Sequence, residues 1–127
     1  MIALDTNVLV RFLTRDEPRE AARARTLIEG GGVLVAKTVM LETAWVLASA
    51  YKFRPQAITA AFRALLGLPE IEIEDAPAVA RALDWYAGGI DFADALHVAS
   101  CSQAEGFATF DRALRRKAGG VMTMIAP

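Results

Sequence analysis

Short apolar runs and helix-length amphipathic stretches alternate along this chain from end to end. Met1–Leu4 is an apolar run that stops at Asp5, the pattern of a buried parallel strand. A helix is predicted from about Asn7 to Leu13, and Pro18, behind Asp16 and Glu17, opens another that reaches about Ile28. Val33–Ala36 reads as the next strand, and Thr38 as the cap of a long apolar helix to about Tyr51. Pro55 opens a helix ending near Gly67. Ile71 and Ile73 alternate with Glu70, Glu72 and Glu74, which predicts a half-exposed strand. Asp75 and Pro77 start a helix ending at Gly88, and Asp91 caps one running to about Glu105. Phe107–Thr109 is a short strand, Asp111–Lys117 a short helix and Val121–Met124 a last strand. Glycines cluster where the helical patterns stop, as C-caps and turns require. The expectation is an α/β fold in three layers: a central, mostly parallel sheet of about five short strands, with helices on both faces. Such sheets bind ligands at the carboxyl ends of their strands.

Composition adds a few exclusions. The 127 residues suit one domain, expected over 1–127. Fourteen basic and 15 acidic residues leave a net charge of −1, which excludes a polybasic binder and an acidic disordered tail. The apolar fraction of 54% exceeds the usual ~45–50% and hints at a second buried surface, such as a dimer face or a partner groove. The lone Cys101 rules out an intrachain disulfide scaffold and suits a reducing cytoplasm. No signal peptide is expected, because Asp5 interrupts the first apolar run, and no membrane span, because Lys37 and Glu42 split the longest candidate.

Four acids stand out. Asp5 and Asp111 fall at the ends of predicted strands, where an open α/β sheet keeps its site. Glu42 and Asp94 lie inside apolar helical stretches, where an uncompensated carboxylate costs several kcal/mol. Neither stretch supplies a basic partner: Lys37 precedes the first, and only His97 lies within the second. A hard divalent cation, Mg²⁺ or Mn²⁺, is the other compensation, since it prefers oxygen ligands. Each acid also has a plainer reading. Asp5, Asp91 and Asp111 can serve as helix N-caps, Glu42 can reach solvent or a distant arginine, and Asp94 favours the dipole of its own first turn.

The motifs resemble those of a known family. Leu4-Asp5-Thr6-Asn7-Val8-Leu9 resembles the first motif of the PIN-domain nucleases, specifically the VapC toxins of type II toxin–antitoxin pairs. Glu42-Thr43-Ala44-Trp45-Val46-Leu47 resembles the helix carrying that family's glutamate. Asp91-Phe92-Ala93-Asp94-Ala95-Leu96-His97 resembles its third motif, and Thr109-Phe110-Asp111 its fourth. The resemblance spans essentially the whole chain. It implies a PIN-like fold and a Mg²⁺- or Mn²⁺-dependent endoribonuclease, in which Asp5, Glu42, Asp94 and Asp111 hold the metal and do the chemistry. Thr6, Asn7, Asp91 and Thr109 would support them. It also implies an RNA substrate, inhibition of translation, a homodimer and silencing by a VapB-type antitoxin, all in the cytoplasm.

RNA needs cations nearby. Arg11 and Arg15 lie one helical turn apart after Asp5, and Arg112 and Arg115 follow Asp111, so these four are the candidate RNA contacts. A solvated face is the competing reading for both pairs. His97 and Cys101 are expected in the core, and Trp45 and Trp85 in the core or an interface. Two other functions compete: a catalytically silent PIN-like module that binds RNA or protein, and a phosphotransferase of the haloacid dehalogenase type. The latter opens with Asp-x-Asp, whereas this chain has Asn7 in the second place.

Overall fold

Seven helices and five short strands alternate in the computed structural model, which describes residues Met1–Pro127. The chain divides into two compact units, Met1–Ala76 and Pro77–Pro127. The first holds β1 (Ile2–Ala3), α1 (Thr6–Thr14), α2 (Pro18–Glu29), β2 (Val33–Val35), α3 (Lys37–Ser49), α4 (Pro55–Leu66) and β3 (Ile71–Ile73). The second holds α5 (Ala76–Ala87), whose first residue ends the first unit, then α6 (Phe92–Ala99), β4 (Phe107–Ala108), α7 (Arg112–Ala118) and β5 (Met124–Ile125). Every strand pair is parallel, which makes this the expected α/β architecture. The ladder is not continuous, however: β1-β2-β3 form one sheet and β4-β5 another.

In the first unit β2 is central, pairing Val33 with both Ile2 and Ile71, and its Val33 and Val35 are fully buried. The strand expected to be buried at the N-terminus is not. Ile2 is 52% exposed, and burial begins only at Leu4. A two-residue strand at the end of a sheet is paired on one edge only and leaves its side chains short of neighbours.

Helix α3 was expected to be buried on nearly every side. It buries Met40, Thr43, Ala44 and Leu47, a stripe at i, i+3, i+4 and i+7, and packs against α1 and α4. Its other face is open, with Glu42 exposed and Trp45 69% exposed. Thr38 does not cap it. The N-cap is Ala36, and the Lys37 amide instead donates to Glu74 Oε1 at 2.8 Å, just past β3, while Lys37 Nζ pairs with Asp75 at 3.1 Å.

Within α3 the Thr43 hydroxyl is fully buried without a hydrogen-bond partner. A buried unsatisfied hydroxyl costs ~1–3 kcal/mol, so Thr43→Val, which keeps the shape, is expected to stabilise the protein by about 1 kcal/mol. Thermal unfolding should show a Tm a few degrees higher. A lower Tm would mean that the hydroxyl is engaged after all.

In the second unit α6 stops at Ala99, well short of Glu105. The ladder tightens there, with the Cys101 amide bonding Val98 O at 3.1 Å, and the following Ser100, Ser102 and Gln103 offer no apolar face to bury. The last strand lies later than expected, because the Val121 and Met122 amides turn back to Ala118 O and close α7. Gly106, at the entry to β4, is tightly enclosed: a Cβ there would sit 2.8 Å from Ile125 Cδ1 and 3.1 Å from Thr123 O, so both would have to shift. No helix is long and apolar enough to cross a membrane.

Candidate active site

In the first unit, Asp5 ends the β1 segment and caps α1, its Oδ1 accepting the Thr6 amide at 2.7 Å. The same Thr6 donates its hydroxyl to Glu42 Oε1. One nearly buried threonine thus ties the strand-end acid to the helix acid across 36 residues of chain. Both carboxylates face a cleft of about 400 Å³, lined also by Asn7, Arg11, Val46 and Tyr51. Residues without sequence proximity meet here because the parallel β1–β2 pairing delivers α1 and α3 from the same strand ends.

Arg11 is engaged. Its Nε bonds Glu20 at 2.7 Å, and its Nη1 reaches Asp16 at 3.3 Å and the Tyr51 hydroxyl at 3.1 Å. Tyr51 in turn donates to Asp16 Oδ2 at 2.6 Å. The Glu20 bond, with Asp16 and Tyr51, holds the guanidinium more firmly protonated than usual, and the Tyr51 and Thr14 bonds push the Asp16 carboxyl down. Arg15 ends α1 in a left-handed conformation and is exposed. Sequence reading missed this network. Its only sequence trace is a polar Tyr51 at the end of an apolar helix.

In the second unit, three acids share a field. Asp91 caps α6 through the Asp94 amide at 3.4 Å. Asp111 caps α7 through the Leu114 amide at 3.0 Å, and its own amide donates to Thr109 Oγ1 at 3.1 Å. Burial first, then the negative charges of Asp91 and Asp111, push the Asp94 carboxyl above its ordinary range, with His97 pulling the other way. Burial and Asp91 also raise the Tyr86 hydroxyl. The capping reading therefore holds for Asp5, Asp91 and Asp111, and capping occupies only one oxygen of each.

Of the cations after Asp111, Arg115 is spent on the Thr109 carbonyl at 2.6 Å, whereas Arg112 is exposed. His97 and Cys101, expected in the core, are both exposed. On α6 the apolar Ala95, Leu96, Val98 and Ala99 already fill the buried face, which leaves His97 outside. Cys101 falls beyond the shortened helix. Trp85 is half-buried.

No three His, Cys, Asp or Glu side chains form a ready-made metal-holding group. The donor chemistry nonetheless suits a hard divalent cation. Every candidate is a carboxylate oxygen, and the crowding at Asp94 is a repulsion that added positive charge relieves.

No curated protein matches the chain. The PIN domain profile matches residues 2–120, a span that takes in all four motifs and both units. That match leaves the phosphotransferase alternative without support. With nearly the full length covered, the chain belongs to the PIN domain family, a nuclease family whose members typically use a divalent metal.

Proposed function

We propose that residues 1–127 act as one metal-dependent endoribonuclease that hydrolyses RNA phosphodiester bonds. The observation that carries this reading is the threonine-bridged Asp5–Glu42 pair in the first unit, and it is supported in the second by the upward push on Asp94 from burial and then from Asp91 and Asp111. Asp5, Glu42, Asp94 and Asp111 are the residues that would hold Mg²⁺ or Mn²⁺. When bound, such an ion makes a water more acidic and offsets charge on a phosphate oxygen.

The chain's own contribution is positioning. The Thr6 amide holds Asp5 and the Thr6 hydroxyl holds Glu42, so each acid keeps an oxygen for the site. The Leu114 amide holds the Asp111 carboxylate, and the Asp111 backbone amide is anchored by donating to Thr109 Oγ1. The negative field that Asp91 and Asp111 add at the partly buried Asp94 favours uptake of a cation. Asn7, exposed at the cleft, is a contact for substrate or water. Arg15 and Arg112 are the free RNA contacts, and Arg11 and Arg115 would have to leave their present partners to join them. By the family resemblance we further assign the chain a toxin role in the cytoplasm, as a homodimer that inhibits translation until a VapB-type antitoxin silences it.

The test is cleavage of defined RNAs with Mg²⁺ or Mn²⁺ and with EDTA. Cutting that requires the metal supports the reading. Binding without cutting would instead establish the silent module. Thr6→Val keeps the helix start but removes the hydroxyl bond to Glu42. Groups that orient a metal ligand are worth ~10–100-fold, so cleavage should fall about that much, and Thr6→Ser should restore most of it. If Thr6→Val cleaves like wild type, the bridge plays no part in positioning Glu42.

A further inference from the structure

The chain has six phenylalanines. Phe62 and Phe92 are buried, and Phe12, Phe53 and Phe107 are half-buried. Phe110 is 81% exposed, the most exposed large apolar side chain in the molecule. It is also held in place. The Thr109 amide bonds Ile125 O at 3.1 Å, and the Thr109 carbonyl accepts from Arg115 Nη1 at 2.6 Å. On the other side the Asp111 amide bonds Thr109 Oγ1 at 3.1 Å, and Asp111 accepts from the Leu114 and Arg115 amides at 3.0 and 3.1 Å. Both chain neighbours of Phe110 are braced, so the backbone that carries this exposed ring is fixed. A pre-organised aromatic loses little entropy when it binds.

Its surroundings indicate what it meets. The next residue is Asp111, one of the four candidate catalytic acids, and the exposed cations Arg112 and Arg116 follow. A protein-docking core is depleted in aspartate, and the exposed Asp111 directly follows this ring. An aromatic ring beside free cations is instead the arrangement that grips a single nucleic-acid strand, the cations tracking phosphates and the ring taking a base. We propose that Phe110 stacks on an unpaired base of the substrate, and that the RNA is therefore single-stranded where it meets the Asp111 turn. This rests on the nuclease reading above. A paired base presents only its edges, so a duplex offers nothing for the ring to stack on.

The test uses the full chain and one RNA sequence, presented as a single strand and as a duplex. Phe110→Ala should leave the Tm unchanged, because the ring is exposed. Stacking losses on alanine substitution predict a KM for the single strand higher by about 5- to 100-fold, with kcat within about twofold. Phe110→Trp should restore the wild-type KM. A 2-aminopurine placed in the strand should be quenched on binding to cleavage-deficient Asp94→Asn protein, and not when Phe110→Ala is added. Unchanged KM and quenching in Phe110→Ala, with wild type cutting RNA normally, would overturn the stacking role and leave the nuclease reading intact. Loss of self-association instead, with KM unchanged, would overturn it in favour of a protein contact. A wild-type protein that cuts no RNA overturns both.

Discussion

Asp94→Asn should abolish RNA cleavage and at the same time make the metal-free protein harder to unfold. Even groups that merely orient a metal ligand are worth ~10–100-fold, so removal of this carboxylate should cost more than about 100-fold. The stability gain follows from the raised proton affinity of the Asp94 carboxyl. A folded state that holds the proton more tightly than the unfolded state loses stability as pH rises from the ordinary aspartate range through the raised folded value. Above that value the full penalty remains. Asparagine carries no charge and escapes it. Asp94 is partly exposed and its repulsion partly screened, so the gain should be a fraction of a kcal/mol, or a Tm about one to a few degrees higher at neutral pH. The advantage should shrink towards zero in acid. Under the proposed metal-holding role, Mn²⁺ should reverse the order, because a ligand at ~100 times its Kd stabilises by ~2.7 kcal/mol and a variant without that carboxylate would bind it poorly. Equal melting curves for the two proteins in EDTA from pH 3.5 to 7 would remove Asp94 from the acid cluster's electrostatics. Full cleavage by the variant would remove it from the chemistry.

The second large effect lies away from the acids. Leu47→Ala removes a fully buried side chain from the stripe that seats α3 on α1 and α4. Core leucine-to-alanine changes cost ~3–5 kcal/mol, the lost transfer energy plus the cavity left behind. That is a large share of the ~5–15 kcal/mol that holds a domain folded. Chemical denaturation should show the loss with an unchanged m-value. Because α3 carries Glu42, the surviving folded fraction should also cleave more weakly than wild type. A loss below about 1 kcal/mol would mean that the space around Leu47 collapses without cost.

Most of the element order was legible, because apolar periodicity is imposed by the core and the core dominates the fold. Pro18 and Pro55 opened α2 and α4 where expected, since each is pre-set for the first helical turn. What sequence could not supply was the surroundings of each side. The apolar residues of α3 suggested burial all round, but only one face of that helix finds neighbours, and Trp45 is left in water. His97 was placed in the core by its apolar neighbours, and the helix turned it outward. Around the candidate site, the capping roles of Asp5, Asp91 and Asp111 were legible from position alone. The Thr6 hydroxyl bond to Glu42 was not, because it joins residues brought together only by strand pairing. The same holds for Arg11, whose charge suggested RNA and whose partners are Glu20, Asp16 and Tyr51.

The Lys37–Glu74 bond bears on how this molecule is assembled as it is made. The helix that bears Glu42 has no cap of its own and borrows one from a residue 37 positions further along. While a growing chain has not yet emerged past Glu74, the first turn of that helix lacks its closing acceptor and frays. Translation must therefore run past Glu74 before Glu42 is firmly presented. A nascent fragment that stops short of β3 has every letter of the first two motifs and only a loosened version of the arrangement they build.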